Sequence, residues 1–342
     1  NLSPHQNNTT TPIYRVGFLF NHEHLHQISH SATVGFVLST LSPAVEVILI
    51  ASSAAQLDYL QTLARDYPDH NCKFRLITLS PLLKTIGTVI DKALPFTKVM
   101  MLRQNLEVFR EQDALVVPEK TSLLLRSRFG LSDLKFIYTA HGAGDRAIGF
   151  DRTTANFDLI FLSGEKIRRR MQAEGILKTA SSRIIGYPKF DAVDAFGRKP
   201  EKLFNNDRPT VLYNPHFDPE LSSWYKHGQA ILEYFYRSDR YNLIFAPHVM
   251  LFTRKIHLSP TKYRPGWVWK IPSRYKSCPH ILIDTGSLAC TDMTYTLAAD
   301  VYLGDVSSQI WEFLVHPKPC LFVNTHNVAW EDDPNYLHWH TG

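Results

Sequence analysis

Short apolar runs of strand length alternate along the chain with longer stretches in which apolar residues recur at helical spacing. Before residue 195 the predicted strands are 13–20, 45–50, 74–78, 114–117, 135–139, 159–163 and 183–186, with a helix at 54–65. After residue 209 the predicted strands are 210–214, 242–246, 280–283, 300–303 and 320–323, and the predicted helices are 221–237, 291–298 and 307–314. This alternation predicts an α/β fold in which helices cover both faces of parallel sheets.

One polar stretch interrupts the alternation. Residues 196–208 carry Gly, Pro and Asn, which are typical of a linker. We therefore predict an N-terminal Rossmann-like domain at 1–195 and a C-terminal Rossmann-like domain at 209–342, joined by the linker 196–208. Two such halves that face a central cleft are typical of GT-B-type enzymes, and ligands lie beyond the carboxyl ends of their strands.

The composition is that of ordinary globular protein, and 342 residues suffice for two domains. It also excludes one class of partner. The net charge is only +5 and the basic residues are scattered, so we predict no nucleic-acid partner. The cysteines are widely spaced, which predicts reduced thiols in a cytoplasmic protein: Cys72, Cys278, Cys290 and Cys320. Apolar runs are shorter than the ~20 residues of a membrane-spanning helix. Peripheral contact with the inner face of the plasma membrane stays open, since a basic protein is attracted to anionic surfaces.

Residues 22–26 match the HExxH pattern of zinc proteases, in which one helical face presents two histidines to the metal. The pattern directly follows the first predicted strand, which is not the setting of such enzymes, and no third ligand can be identified. We predict that no metal is bound. His22 and His24 are instead expected to line the end of the strand and to contact the acceptor.

Two further histidines follow predicted strands. His141 and Gly142 come after 135–139, and a neutral imidazole there can take a proton from an attacking hydroxyl. Pro247 and His248 come after 242–246 in the other half. Two histidines at strand ends of different halves predict a shared site, and Arg146 is assigned to the acceptor.

The segment 303–313 reads as strand, turn and helix. A helix start offers free backbone N–H groups to an anion, so Ser307 and Ser308 are predicted to hold a diphosphate. The other residues predicted to bind the donor also follow strands of the second half: Asn214, Asp284, Thr285, Ser287, Asp305 and Gln309.

Taken in order, these segments resemble the CDP-glycerol glycerophosphotransferase family of teichoic-acid polymerases. The segments that carry the resemblance are 141–151, 186–191, 213–218, 246–249, 292–297 and 304–308 with 318–319. The resemblance implies a GT-B fold, catalysis by His141 and His248, donor binding by Ser307 and Ser308, and no metal or other cofactor. Two arginines of the family pattern are replaced here by Asp218 and Ala246, which leaves the donor open.

We interpret the chain as a transferase of cell-envelope or capsular polysaccharide biosynthesis. It would move a glycerol-phosphate-type or sugar group from a nucleotide-activated donor, with a CDP-linked donor favoured, to a hydroxyl of a lipid-linked or oligosaccharide acceptor. The N-terminal domain would bind the acceptor, and the C-terminal domain would bind the nucleotide donor. Three alternatives stay open: a glycosyltransferase that uses a CMP-, UDP- or GDP-sugar, a non-hydrolysing nucleotide-sugar epimerase, and a binding module without activity.

Overall fold

The computed structural model describes residues 13–22, 25–91, 95–139, 144, 150–259 and 262–342. The chain forms two compact units that divide between Ala192 and Val193, and Gly144 groups with the second unit. Segment 196–208 belongs to the second unit, where Phe204 is part of the core and Arg198 donates to the Asp292 carbonyl and the Thr294 hydroxyl. The domain limits at 195 and 209 stay a prediction.

The first unit is built on a seven-stranded parallel sheet in the order β3-β2-β1-β4-β5-β6-β7. Its strands are β1 Tyr14–Phe20, β2 Val45–Ala51, β3 Lys73–Leu76, β4 Ala114–Val117, β5 Lys135–Thr139, β6 Leu159–Leu162 and β7 Ser181–Ile184. Its α-helices are α1 Ala32–Leu41, α2 Ala54–Ala64, α3 Pro81–Ile90, α4 Phe96–Gln104, α5 Leu106–Arg110, α6 Leu124–Ser127, α7 Glu165–Ala173 and α8 Lys189–Ala192. Short 3₁₀ helices lie at Leu25–His30, Thr121–Leu123, Arg152–Asn156 and Ile176–Lys178.

Continuous apolar runs place the central strands of this sheet inside two cores, one on each face. Phe18 and Phe20 of β1 face one core, whereas Leu19 faces the other. Burial on both faces is the expected environment of a parallel sheet covered by helices. The helices begin at ordinary signals: the Ser53 hydroxyl accepts from the Gln56 N–H at the start of α2, and Pro81 occupies the first turn of α3.

The second unit is built on a five-stranded parallel sheet in the order β12-β9-β8-β13-β14. Its strands are β8 Thr210–Asn214, β9 Asn242–Phe245, β12 Ile281–Ile283, β13 Val301–Gly304 and β14 Cys320–Phe322, and β10 Ile256–Leu258 pairs with β11 Pro265–Trp267 in a separate antiparallel hairpin. Its helices are α9 Trp224–Arg237, α10 Ser273–Lys276, α11 Thr294–Ala298 and α12 Gln309–Phe313, with 3₁₀ helices at Leu288–Cys290 and Pro334–Thr341. Leu212 and Ile244 face one core of this unit, and Val211 and Phe245 face the other.

The two parallel sheets confirm the predicted α/β class with two Rossmann-like halves. Three of the predicted strands, β4, β5 and β8, have the bounds that the apolar runs give. The hairpin β10–β11 was not predicted, and the helix predicted at 307–314 is shorter in the structure, at Gln309–Phe313. In the described part of the chain, no helix combines the length and the apolar character needed to cross a membrane.

Each sheet has one position where the strand order reverses. In the first unit the chain builds β2 and β3 on one side of β1 and then places β4 on the other side. In the second unit β9 and β12 lie on one side of β8, and β13 lies on the other. Ligands of open parallel sheets bind outside the carboxyl ends of the strands at such reversals, which are therefore the candidate sites.

Candidate functional site

The reversal point of the second unit is held together by one buried carboxylate. Asp305 directly follows β13, and its side chain is fully buried. Its Oδ1 accepts the backbone N–H groups of His216 at 2.9 Å and Val306 at 2.8 Å. Its Oδ2 accepts the backbone N–H of Ser223 at 2.6 Å and the Ser223 hydroxyl at 2.8 Å. Asp305 thus ties the loop after β8 to the end of β13, which is a positioning role; its donor contact stays a prediction.

Burial dominates the ionisation of this carboxylate. Removal from water raises the pKa of Asp305 to about 6, although the hydrogen bonds from Ser223, His216 and Val306 favour the charged form. The pKa of Asp305 therefore lies above the usual range of a carboxylate.

The ends of β8, β9 and β13 are also joined by an amide and a phenol. Asn214 is buried at the end of β8, where its Nδ2 donates to the Ala246 carbonyl at 2.6 Å and its Oδ1 accepts from the Tyr302 hydroxyl at 3.1 Å. Gly304 is required beside this phenol, because a Cβ there would lie 2.7 Å from Tyr302 Oη. Asn214, predicted to bind the donor, thereby fixes the strand ends.

Two imidazoles and a phenyl ring form a cluster at the ends of β8 and β9. The ring centroids of His216 and His248 are 5.1 Å apart, and Phe217 lies 4.5 Å and 4.8 Å from them. Nδ1 of His248 accepts the N–H of Met250, and Nδ1 of His216 accepts the N–H of Asp218. In the neutral form each ring therefore carries its proton on Nε2, which makes Nε2 a hydrogen-bond donor. Pro247 is buried and precedes His248. The backbone N–H of His248 donates to the Pro215 carbonyl at 3.0 Å.

The loop after β12 is organised by Asp284. Its Oδ1 accepts the N–H groups of Gly286 at 3.1 Å and Ser287 at 2.9 Å, and its Oδ2 accepts the hydroxyls of Ser287 and Tyr295. Burial raises the pKa of Asp284, but these donors outweigh it and hold the pKa well below the usual range. The carboxylate stays ionised, and its hydrogen bonds hold the loop. Thr285 follows Asp284 in this loop and is half-buried, and its predicted contact with the donor stays a prediction.

The predicted diphosphate-binding turn follows Asp305. The Ser307 hydroxyl accepts the N–H of Gln309 at 3.2 Å, and the Gln309 amide donates to the Cys290 carbonyl at 2.8 Å. Ser308 precedes α12, which has only five residues and so contributes little dipole. An anion at this turn would be held by local N–H and hydroxyl groups. A Cβ on Gly144 would lie 3.6 Å from the Ser308 Cβ, so this glycine of the 141–151 segment lies beside the turn.

The reversal point of the first unit holds one of the residues assigned to the acceptor. His22 follows β1, is buried, and meets Phe20 edge-on at 6.2 Å between ring centroids. Its backbone carbonyl accepts from the side-chain amide of Gln56. The described helix of this region begins at Leu25, so His22 lies outside it and the single helix required by the HExxH pattern does not start there.

Four predicted site residues lie outside the described part of the chain: His141, Gly142, Arg146 and His24. Their roles stay predictions. Within the described residues, no group of three His, Cys, Asp or Glu side chains could hold a metal ion. The four cysteines are free thiols.

Several residues that build the site were not assigned from the sequence. His216 lies in a segment that the resemblance includes, but its proximity to His248 depends on the pairing of β8 with β9. Ser223 and Tyr302 reach the site through hydrogen bonds to residues 82 and 88 positions away, and Tyr295 through one to a residue 11 positions away. A polar residue after a strand is visible in a sequence, whereas the partner that orients it is not.

Comparisons with known proteins identify the fold. No protein-family model matches the chain, and no curated protein matches it in sequence. Solved structures do match: UDP-GlcNAc 2-epimerase from Neisseria meningitidis bound to UDP-GlcNAc is 14% identical with a TM-score of 0.56, over 91% of this chain and 82% of that one. The S. aureus MnaA–UDP structure is 12% identical with a TM-score of 0.56, over 91% and 79%.

The wall teichoic acid polymerase TagF also matches, with 13% identity and a TM-score of 0.51, over 95% of this chain and 74% of that chain. These matches cover nearly the whole chain and confirm the predicted GT-B-like fold class. At such low identity they establish the fold alone.

Proposed function

We propose that the chain is a nucleotide-dependent transferase that takes a glycerol-phosphate-type or sugar group from a nucleotide-linked donor, with a CDP-linked donor favoured. The observation that carries the proposal is the pair His216 and His248, whose ring centroids lie 5.1 Å apart beside the strand reversal that Asp305 holds together. Imidazole N–H groups at this edge of a parallel sheet are suited to a ligand that carries phosphate.

The proposed reaction needs a hydrogen-bond donor for the leaving group and a general base for the acceptor hydroxyl. Attack by an acceptor hydroxyl forms the new bond and breaks the bond to a phosphate oxygen of the nucleotide, which gains negative charge. An Nε2–H of His248 donating to that oxygen offsets the charge in the transition state. His141 is proposed as the general base that takes the hydroxyl proton. Ser307 and Ser308 would hold the diphosphate. The loop at Asp284 would face the nucleobase of the donor.

The acceptor side of the proposal rests on the first unit. His22, with His24 and Arg146, would contact a lipid-linked or oligosaccharide acceptor of cell-envelope or capsular polysaccharide synthesis. His22 supports this assignment because it lies at the strand reversal of its unit. We place the reaction in the cytoplasm, without a metal or other cofactor and without a nucleic-acid partner.

Product analysis with a set of donors tests the proposal. CDP-glycerol and CMP-, UDP- and GDP-sugars are incubated with the protein and an oligosaccharide or lipid-linked acceptor. Attack at phosphorus in CDP-glycerol releases the nucleoside monophosphate, whereas attack at the sugar carbon of a UDP- or GDP-sugar releases the diphosphate. With the active donor, His248→Ala is expected to lower kcat by about 10²–10³ fold, the typical loss for one preorganised donor.

His280→Ala is the matched control, because His280 lies at the start of β12, on the opposite edge of the same sheet, where its Nε2 donates to the Phe235 carbonyl. It is expected to keep near wild-type turnover. Turnover that survives His248→Ala but not His280→Ala would refute the assigned site.

A nucleotide-sugar epimerase is the second candidate, favoured by the structural similarity to the UDP-GlcNAc 2-epimerase from Neisseria meningitidis. Such a reaction moves a proton at a sugar carbon and needs no acceptor. Incubation with UDP-GlcNAc in deuterated water, without acceptor, distinguishes the candidates. Deuterium in the sugar ring would select the epimerase, and release of free nucleotide only with an acceptor would select the transferase.

A further inference from the structure

The hairpin β10–β11 has one face that packs on the second unit. In its register Ile256 pairs with Trp267, His257 with Gly266 and Leu258 with Pro265. His257 is buried, with its Nε2 donating to the Leu251 carbonyl at 2.9 Å. Gly266 approaches so closely that a Cβ there would lie 2.6 Å from Pro219 Cγ and from Tyr225 Cε1. Because His257 and Gly266 point inward, the residues that alternate with them point away from the unit.

The outward side is apolar and aromatic. Trp267 is 69% exposed, Leu258 57%, Ile256 44%, and Tyr263 in the connection 73%. We call these four residues the hairpin face. Large apolar side chains that are exposed together mark a docking surface more often than isolated ones do.

The segment that carries the hairpin face is basic. Segment 254–270 contains five Lys and Arg residues and no Asp or Glu: Arg254, Lys255, Lys262, Arg264 and Lys270. All five are exposed. The acid that approaches them comes from elsewhere: Glu220 pairs with Lys262 at 3.0 Å and with Arg264 at 2.8 Å. Outside these two pairs, the exposed basic residues of the segment are Arg254, Lys255 and Lys270.

We propose that the hairpin face binds the surface of a bilayer that contains anionic phospholipids. Lys and Arg side chains near such a surface are attracted to it, and Trp and Tyr are favoured at the headgroup level. Ile256 and Leu258 favour a membrane over a nucleic acid. Aliphatic side chains are stabilised by burial at the acyl boundary of a bilayer, whereas bases stack on aromatic side chains. The shared positive charge disfavours a second copy of the same face.

The inner side of the hairpin contacts the histidine cluster of the candidate site. The ring of His257 lies 5.8 Å from Phe217, which lies 4.8 Å from His248. A membrane bound by the hairpin face would therefore lie close to the end of β9. The proposal does not depend on which reaction the site performs.

Vesicle flotation with the full chain tests the proposal. The protein is mixed with vesicles of phosphatidylcholine alone or with phosphatidylglycerol in about a 3:1 ratio, at low and high salt. We expect binding to the mixed vesicles, weakened by salt, and little binding to phosphatidylcholine. Two double variants test the surface: Trp267→Ser with Leu258→Ser, and Lys255→Glu with Lys270→Glu. Each is expected to lower the affinity for the mixed vesicles by about tenfold or more.

Two controls match these variants. Leu321→Ser alters a leucine that is 58% exposed on the edge strand β14, and Lys135→Glu reverses an exposed charge at the start of β5. Both are expected to bind as the wild type does. Trp267→Phe should keep binding but abolish the blue shift of tryptophan emission that vesicles cause, because Trp267 is the tryptophan of the hairpin face.

Three results would overturn the proposal: no binding of the wild type to mixed vesicles, equal losses in the Leu321 or Lys135 control, or retained binding in both hairpin variants. Binding of single-stranded RNA in place of vesicles would also overturn it. A circular-dichroism melt of each variant separates a lost surface from a lost fold, since an exposed hairpin residue should leave the midpoint unchanged.

Discussion

At the scale of single residues, Asp305 shows how one carboxylate organises a site without facing solvent. It receives donors from the loop after β8, from Ser223 and from its own following residue. Its backbone carbonyl also accepts Nε2 of His338 and Nε1 of Trp339, both at 3.1 Å. The C-terminal 3₁₀ helix and the loop that carries His216 therefore depend on the same residue.

The raised pKa of Asp305 predicts a pH-dependent stability. The folded protein binds a proton at this group up to about pH 6, whereas the unfolded chain releases it near 3.8, so folding stability from this group is present at low pH and is lost as pH rises from about 4 through 6. The loss is about 2–3 kcal/mol. In Asp305→Asn the difference in free energy of unfolding from the wild type should shrink by that amount across this window, measured by urea unfolding at each pH.

Ser223→Ala is the control for Asp305→Asn, because it removes a hydroxyl that donates to the carboxylate and leaves the titrating group in place. It should be destabilised by about 1 kcal/mol and keep the pH dependence. A difference between Asp305→Asn and the wild type that stays constant from pH 4 to 7 would contradict the raised pKa.

At the scale of elements, the sequence predicts best where a strand is buried on both faces. Leu115, Val116 and Val117 of β4 are all buried, so the apolar run and the strand coincide. The hairpin β10–β11 was not predicted because each of its strands has only three residues and the second begins with a proline. Neither strand therefore forms an apolar run in the sequence. Its structure depends on the contact of Gly266 with Tyr225, which only the folded unit supplies.

The candidate site divides in the same way. Residues at strand ends could be found from the sequence, as with Asn214, His248 and Asp305, because a parallel sheet brings these ends to one edge. The hydrogen bonds of Asn214 and Asp305 to their own unit could not be found in this way. Such bonds depend on three-dimensional contacts between distant residues. The assignment of both residues to the donor stays a prediction.

Helix α9 provides a prediction at this scale. Gly228 lies in its middle, where an alanine would normally stabilise a helix by about 1 kcal/mol. Here a Cβ would lie 2.4 Å from the ring of Trp224, which is fully buried and stacked on Trp269 at 4.2 Å. Gly228→Ala should therefore destabilise the protein by about 1–3 kcal/mol, measured by urea unfolding.

The neighbouring exposed position gives the control for helix α9. Gln229→Ala leaves the Trp224 packing intact and should be neutral or slightly stabilising. If Gly228→Ala proves as stable as Gln229→Ala, the close approach of the tryptophan ring to the helix is wrong.

At the scale of the whole molecule, both units use the same plan. Each starts with a strand inside its sheet, adds two strands on one side and then continues on the other side, so each has its own strand reversal. Ser307 and Ser308, which are proposed to hold the diphosphate, follow β13 of the second unit, and Gly144 lies beside Ser308 and groups with that unit. This arrangement agrees with the assignment of the donor to the second unit.

Hydrogen exchange across the whole chain tests that assignment with free nucleotides as probes. CDP should slow exchange at the carboxyl edge of the second sheet, in peptides that cover 214–218, 246–250, 284–287 and 305–309, because bound ligand must leave before these loops open. At a hundred times the Kd the slowing can reach about 100-fold. Peptides at the amino edge of the same sheet, such as 201–210, should exchange at an unchanged rate. UDP and GDP, run in parallel, rank the bases by the concentration that gives half of the protection. Protection confined to the first unit, at the ends of β1 and β4, would place the nucleotide there and exchange the proposed roles of the two units.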